Sequence, residues 1–121
     1  MINTISLTEN RDFKRAYSKG KTAVHPLMAV YVVKNRKPLN RLGITTSKKI
    51  GSAVERNRAR RIIREAFRQV ESQLPTGLDI VVVARRKTVF AKTAGVTGGL
   101  LASCKKLGLL DGGRKAPSEP L

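Results

Sequence analysis

The side chains with the clearest chemical potential in this sequence are arginines clustered in one segment. Residues 52–70, "SAVERNRARRIIREAFRQV", contain six arginines among regularly spaced apolar side chains. On a helix, where successive residues are about 100° apart, the apolar side chains share one stripe that should pack on a core. That stripe consists of Ala59, Ile62, Ile63, Ala66, Phe67 and Val70. The other side carries what we call the arginine ridge: Asn57, Arg58, Arg60, Arg61, Arg64 and Arg68.

The charge balance of the chain indicates what the arginine ridge would bind. Lysine and arginine number 25 against 8 aspartates and glutamates, a formal charge of +17. A solvated helix usually interleaves carboxylates to form ion pairs, but this one has only Glu55 and Glu65. Unrelieved repulsion implies an anionic partner, and guanidinium groups can fork onto phosphate and stack on bases. We therefore predict nucleic acid as the partner, ahead of a merely solvated face or a membrane surface, for which the apolar stripe lacks tryptophan.

Few residues could perform hydrolysis. The chain has one histidine, His25, expected in a turn, and one cysteine, Cys104, expected to be a small buried residue. A single cysteine excludes an internal disulfide and a thiolate-rich zinc site. The carboxylates form no metal-like set, since Asp12 begins a helix and Asp79 begins a strand. We therefore predict no catalytic and no metal-binding residue, which disfavours an autonomous nuclease.

Other elements must position the ridge. The spacing predicts a helix over residues 9–20, capped by Asn10 and ended by Gly20, with Phe13 and Tyr17 on one face. The segments "LMAVYVVKN" and "RLGITTS" are rich in β-formers and are interpreted as an antiparallel hairpin with a polar loop. In the first of these strands, alternation places Met28, Val30 and Val32 on one face and Ala29, Tyr31 and Val33 on the other.

Local sequence signals mark both ends of the helix that carries the arginine ridge. Ser52 followed by Glu55 is a capping-box pattern, and Pro75 and Gly77 mark the end of the helix. The next segment, "LDIVVVARR", is apolar enough for a strand buried on both faces, which gives a strand–helix–strand unit with a parallel strand pair. A last helix is expected within Thr88–Leu107.

Length and composition bound the organisation of the chain. Its 121 residues, of which 40% are apolar, suit one nucleic-acid-binding domain, predicted as residues 1–110, with a flexible C-terminal tail over residues 111–121. The longest apolar run, residues 27–33, is too short to cross a bilayer, and the N-terminus lacks the layout of a secretory signal. We therefore expect a cytoplasmic protein without membrane contact.

Three separated segments carry a resemblance to a known family. "RLGITTSKKIGSAVERNRARRIIREAFR", with an Arg-Asn-Arg motif at residues 56–58, resembles the signature segment of the protein subunit of bacterial ribonuclease P. "RDFKRAYSKGK" before it and "DIVVVAR" after it are similar to the same family, in the same order. The resemblance implies an α/β (α+β) sandwich, a small mixed sheet with helices that resembles a ribosomal small-subunit protein domain. It also implies a left-handed βαβ crossover, where the general rule alone predicts the right hand.

The enzyme of that family is a ribonucleoprotein endonuclease that removes the 5′ leader from precursor tRNA, and its RNA subunit carries the catalysis. For this chain the resemblance implies an RNA-binding subunit without a bound cofactor. One such protein per catalytic RNA would improve the affinity of the holoenzyme for precursor tRNA and for magnesium. The alternative is a ribosomal protein or a general RNA chaperone of the same fold.

The resemblance also assigns two sets of residues. The set expected to contact the RNA subunit is Lys48, Lys49, Arg56, Asn57, Arg58, Arg60, Arg61, Arg64 and Arg68. The set expected to form a cleft for the single-stranded leader is Phe13, Lys14, Tyr17 and Tyr31. Helical spacing supports Arg58, Arg61 and Arg64 best, whereas Arg56 projects toward the apolar margin. A plainer role for Phe13 and Tyr17 is to dock the first helix on the sheet.

Overall fold

A computed structural model of the protein describes residues 4–110. This part of the chain contains five strands and four helices, and two short 3₁₀ turns flank the longest helix. In chain order the elements are β1 (Thr4–Ser6), α1 (Asn10–Lys19), β2 (Lys21–His25), β3 (Met28–Lys34), β4 (Asn40–Thr45), a 3₁₀ turn (Lys48–Ile50), α2 (Ala53–Val70), a 3₁₀ turn (Glu71–Gln73), β5 (Leu78–Ala84), α3 (Arg86–Phe90) and α4 (Thr93–Lys106). The predicted tail over residues 111–121 lies outside the described residues.

The strands form one mixed sheet in the order β1-β4-β5-β3-β2. The parallel pair predicted around the ridge helix is confirmed, because β4 pairs parallel with β5 and α2 connects them. The predicted hairpin of β3 with β4 is wrong, because β5 lies between these two strands. All residues of β5 except Val83 are buried, and a strand this apolar is most stable at the centre of a sheet, where both its faces are covered.

The hairpin partner of β3 is β2, which the sequence analysis did not predict. The two strands pair antiparallel from Lys21↔Val32 to His25↔Met28. In the turn between them, Leu27 N donates to Nδ1 of His25 (3.0 Å). β2 is an edge strand in which only Ala23 is fully buried, so its sequence lacks the apolar alternation that marks a half-buried strand.

Each face of the sheet packs on different helices. Met28, Val30 and Val32 join the main core, to which α2 and α4 contribute. Tyr31 and Val33 face the other way and join a smaller cluster with residues of α1. The predicted alternation of β3 is therefore confirmed, and the sheet is covered by α1 on one face and by α2 and α4 on the other.

Helix boundaries agree with local sequence signals in some places and not in others. The capping box of α2 is present, with Ser52 as the N-cap. α1 begins at Asn10, but its N-cap is Glu9 rather than Asn10. The last helix, expected over part of Thr88–Leu107, is confirmed as α4, and the short helix α3 precedes it. Within α3, Thr88 is buried and its hydroxyl donates to the carbonyl oxygen of Leu27.

α4 packs closely on the β2–β3 turn because of Gly99. A Cβ at this position would lie 3.0 Å from Cε1 of His25 and 3.1 Å from Cε of Met28. Cys104, on the same helix, is buried as predicted, and burial raises the pKa of its thiol to about 11. No helix within residues 4–110 is long and apolar enough to cross a membrane.

Candidate nucleic-acid interface

At the N-terminus of α2, the carboxylate of Glu55 is engaged by neighbouring groups. Ser52 Oγ accepts from Glu55 N (3.2 Å), and Glu55 Oε1 accepts from Ser52 N (3.0 Å). Arg86 of α3 also contacts Glu55 Oε1, at 3.1 Å. The hydrogen bond from the Ser52 backbone, and then Arg86, lower the pKa of Glu55. Glu55 is thus committed to the helix end and does not neutralise the arginine ridge.

The arginine ridge faces outward, opposite a buried stripe. Ala59, Ile63, Ala66, Phe67 and Val70 are buried, and Ile62 is half-buried. The exposed members of the ridge are Asn57, Arg58, Arg61, Arg64 and Arg68. The predicted orientation of α2 is therefore confirmed.

Three arginines of the ridge are open. Arg58, Arg61 and Arg64 form no hydrogen bond or ion pair with any residue in the range 4–110. Arg68 forms a loose pair with Glu65 (3.5 Å), in which both side chains are at least half exposed, and such pairs contribute little to stability. The open arginines hold their charge at the surface without an internal counter-charge.

Two other arginines of the predicted set brace the start of α2. Arg56, half-buried, donates from Nη1 to the carbonyl oxygen of Gly51 (2.7 Å). Arg60, also half-buried, donates from Nη2 to Oγ1 of Thr46 (2.7 Å) and from Nη1 to Oδ1 of Asn57 (3.2 Å). Because a guanidinium has five N–H donors, each side chain keeps donors for a ligand while its orientation is fixed.

Further cations lie beside the N-terminus of α2. Lys48 and Lys49 are exposed in the 3₁₀ turn that precedes the helix. α3 adds the exposed Arg85, Arg86 and Lys87, which lie outside the predicted set. The signal that could have found them is the run of three basic residues directly after the central strand.

Three aromatic rings meet between α1 and the sheet, as predicted; we call Phe13, Tyr17 and Tyr31 the aromatic trio. The ring centroids of Phe13 and Tyr17 are 6.5 Å apart, and those of Tyr17 and Tyr31 are 4.9 Å apart with the rings edge to face. Tyr17 is 40% exposed, and its hydroxyl lies 2.9 Å from Oγ1 of Thr45. Lys14 is exposed on the same helix.

Phe13 docks α1 on the sheet, which is the plainer of its two predicted roles. A Cβ at Gly43 of β4 would lie 2.6 Å from the Phe13 ring, which means that the ring lies directly on the strand backbone. Phe13 and Tyr31 pack with a cluster formed by Leu7, Ala16 and Val81. The ring therefore forms both part of the core and part of a wall facing solvent.

A cleft of about 310 Å³ at the β1 edge of the sheet joins the two predicted surfaces; we call it the edge cleft. Its lining comprises Thr4, Ile5, Ser6, Leu7, Phe13, Leu42, Ile44, Arg60 and Arg64. Lys14, Tyr17 and Tyr31 do not line it. Arg60 and Arg64, expected on the RNA-subunit face, thus share a cavity with Phe13, expected on the leader face.

The two aspartates that an autonomous nuclease could have used are engaged by an arginine. Arg41 donates to both carboxylate oxygens of the fully buried Asp79, from Nε (2.8 Å) and Nη2 (2.7 Å). Its Nη1 lies 3.3 Å from Oδ2 of Asp12. Asn35 Nδ2 donates to Asp79 as well (3.0 Å), and the hydrogen bond with Asp79 raises the pKa of Arg41. Within residues 4–110, no three histidine, cysteine or acidic side chains lie close enough to hold a metal ion.

A mixed sheet between helices, a ridge of open arginines and a cleft with an aromatic wall define a small, basic α+β protein with the surface chemistry of nucleic-acid binding. The sequence model of the Ribonuclease P family matches residues 1–108. The chain therefore belongs to the ribonuclease P protein family, and the resemblance noted in the sequence is confirmed.

Relatives and solved structures agree with this assignment. The ribonuclease P protein component of Thermoanaerobacter sp. (strain X514) is 40% identical over 87 residues, which cover 72% of this chain and 75% of that protein. The component from Alkaliphilus metalliredigens (strain QYMF) is 35% identical over 110 residues, which cover 91% of this chain and 99% of that protein.

Two solved structures confirm the predicted fold class. The RNase P protein of Staphylococcus aureus superposes with a TM-score of 0.76 at 32% identity, covering 92% of this chain and 100% of that one. The RNase P protein of Thermotoga maritima superposes with a TM-score of 0.72 at 34% identity, covering 80% of this chain and 92% of that one.

Proposed function

We propose that this chain is the RNA-binding subunit of a ribonuclease P ribonucleoprotein that removes the 5′ leader from precursor tRNA in the cytoplasm. The observation that carries the proposal is the group of open arginines, Arg58, Arg61 and Arg64, in a chain of this family. One protein would bind one catalytic RNA, which performs the cleavage.

The arginine ridge is proposed to bind the RNA subunit. Phosphates of a folded RNA would replace the counter-charge that the helix lacks, with release of condensed counterions. The bracing bonds of Arg56 and Arg60 would hold the ridge in place before the RNA arrives, so that fewer side chains need to be ordered on binding. Lys48 and Lys49 would extend the same surface.

The leader is proposed to lie against the aromatic trio and the edge cleft. Aromatic rings can stack unpaired bases at about 1–3 kcal/mol per base without selecting sequence, and neighbouring cations hold the backbone. Tyr17 offers the most exposed ring of the trio. Arg60 and Arg64 would then touch the leader where it passes Phe13, next to the RNA subunit.

Within residues 4–110, no three histidine, cysteine or acidic side chains lie together, and Asp12 and Asp79 both contact Arg41. We propose that the magnesium used by the holoenzyme is bound by RNA. The protein would lower the magnesium requirement by neutralising phosphates that otherwise repel each other when leader and RNA subunit meet.

The test is single-turnover cleavage of a precursor tRNA by a bacterial ribonuclease P RNA at low magnesium, with and without the purified protein. We expect correctly placed 5′ cleavage that requires both components. The variant Arg58→Gln/Arg61→Gln should need more protein, whereas Lys105→Gln/Lys106→Gln, which removes the same charge from the end of α4, should not. Tight RNA binding without stimulation of cleavage would contradict the proposal and favour a ribosomal or chaperone role.

A further inference from the structure

A second cationic concavity, away from the arginine ridge, lies where α1 ends and β3 leaves the sheet. We call it the basic groove; its volume is about 860 Å³. Six cationic residues line it: Arg15, Lys19, Lys21, Lys34, Arg36 and Lys37. Between them lie apolar side chains such as Val33, Pro75 and Leu78. Among the described residues, no acidic and no aromatic side chain lines the groove.

The cations of the basic groove are almost entirely uncompensated. Five of the six form no ion pair with any carboxylate in the range 4–110. The sixth, Arg15, is 3.9 Å from Asp79, whose carboxylate already accepts two hydrogen bonds from Arg41. Six like charges around one concavity repel each other, so an anion that entered it would be attracted by all of them.

One wall of the groove is a fixed loop. The side chain of Asn35 is buried; its Oδ1 accepts from Lys37 N (2.7 Å), and its Nδ2 donates to the carbonyl oxygen of Leu39 (3.2 Å). Backbone bonds join the loop to Gly77, which accepts from Asn35 N (2.9 Å) and donates to Leu39 (3.2 Å). Arg36 has a φ of 60°, an unusual conformation for a residue with a side chain. These bonds therefore fix the backbone that carries Arg36 and Lys37 at the groove wall.

The basic groove and the aromatic trio are neighbours on the same two elements. α1 carries Phe13 and Tyr17, and it also carries Arg15 and Lys19. β3 carries Tyr31 and, three residues further on, Lys34. Arg15 and Lys19 lie on the other flank of α1 from Phe13 and Tyr17, so a strand lying on the aromatic trio would enter the groove by passing the C-terminal end of α1, where Lys19 and Lys21 lie. Because the groove lacks aromatic side chains, it would bind phosphates without stacking on the bases, so binding would not depend on their sequence.

We propose that the basic groove binds the phosphate backbone of the distal part of the 5′ leader, beyond the nucleotides at the aromatic trio. This inference rests on the proposed function. It predicts that the protein gains affinity for precursor tRNA when the leader is lengthened, without dependence on the added sequence.

The test measures the affinity of the reconstituted holoenzyme for tRNA with no leader, with a leader of about 5 nucleotides and with one of about 15 nucleotides. The groove variants are Arg36→Gln/Lys37→Gln and, independent of the loop, Lys19→Gln/Lys21→Gln. The control, Lys92→Gln/Lys105→Gln, removes the same charge at the two ends of α4, from residues that do not line the groove. We expect wild type and control to bind the long leader about three- to tenfold more tightly than the short one, and the groove variants to lose that gain.

Three results would overturn the inference. The wild type could show no gain from the longer leader, or the groove variants could retain the gain. The variants could also weaken binding of all three substrates equally, which would place the RNA subunit in the groove. In each case, if the wild type still binds the short-leader substrate more tightly than leaderless tRNA, the proposed function stands and only the inference about the groove fails. If the wild type binds these two substrates equally, both proposals fail.

Discussion

Arginine side chains serve different purposes in this protein, and their surroundings distinguish them. Arg41 is largely buried and forms a two-bond pair with Asp79. Arg60 is half-buried and braces α2, while Arg58 and Arg61 have no partner within residues 4–110. Only arginines without a partner, such as Arg58 and Arg61, keep all their N–H donors for phosphate. Sequence alone identifies a cluster of arginines, but burial and hydrogen bonds separate those that support the fold from those that are open.

At the residue scale, Arg61→Gln should change the salt dependence of RNA binding. Removing one open guanidinium should flatten the slope of log affinity against log salt for the RNA subunit by about 0.7–0.9, the value for one phosphate contact. Filter binding or fluorescence anisotropy across a salt series measures this slope. Arg11→Gln, which removes an exposed arginine of α1 paired with Glu9 at 3.5 Å, is the control. An unchanged slope for Arg61→Gln would mean that this side chain only faces water.

Asp79→Asn should lower the free energy of unfolding by about 3 kcal/mol, because it leaves the largely buried Arg41 without its main counter-charge. Asp12→Asn should cost about 1 kcal/mol or less, since Asp79 would still pair with Arg41. Urea denaturation measures both values. Equal effects of the two substitutions would contradict the assignment of Asp79 as the main partner.

At the scale of elements, local signals predicted the helices better than the strand pairings. The capping box and apolar stripe of α2 lie within the helix itself, so both could be identified from sequence. The neighbours of β3 depend on which strand occupies the centre of the sheet, and that is set by burial across the whole molecule. The edge cleft likewise escaped prediction, because Arg64 and Phe13 are distant in sequence and meet only through the sheet edge.

Glu55→Gln should destabilise the N-terminus of α2 in a pH-dependent way. The bonds from Ser52 and Arg86 lower the pKa of Glu55 in the folded state, so the carboxylate stabilises the fold above its unfolded pKa. This contribution is lost as pH falls through the lower folded pKa. Wild type should therefore exceed the variant in stability at neutral pH, and the difference should shrink toward about pH 3.

Urea titrations at both pH values measure this difference. Glu65→Gln, at the exposed pair with Arg68, removes a carboxylate of the same helix without affecting the capping box. It should change stability less than Glu55→Gln does at neutral pH. A difference between wild type and Glu55→Gln that is independent of pH would show that the carboxylate of Glu55 is not the group responsible.

At the scale of the whole molecule, the sheet divides the apolar core into two clusters, and the charged side chains lie outside both. Its two faces are covered by α1 on one side and by α2 and α4 on the other, so most large apolar side chains are buried. The open arginines of α2 and the cations of the basic groove lie outside this core. The edge cleft is where the arginine ridge and the aromatic trio share a boundary.

This arrangement predicts energetic coupling between the two surfaces. Because Phe13 and Arg64 line one cleft, the effects of Phe13→Leu and Arg64→Gln on leader affinity should be non-additive by at least about 0.5 kcal/mol. Phe13→Leu combined with Arg58→Gln, an open arginine outside the cleft, should be additive within about 0.5 kcal/mol. Double-mutant cycles on the affinity difference between leader-bearing and leaderless tRNA measure both terms. Additivity in both cycles would mean that ridge and trio bind separate parts of the RNA, and that the edge cleft does not hold the leader.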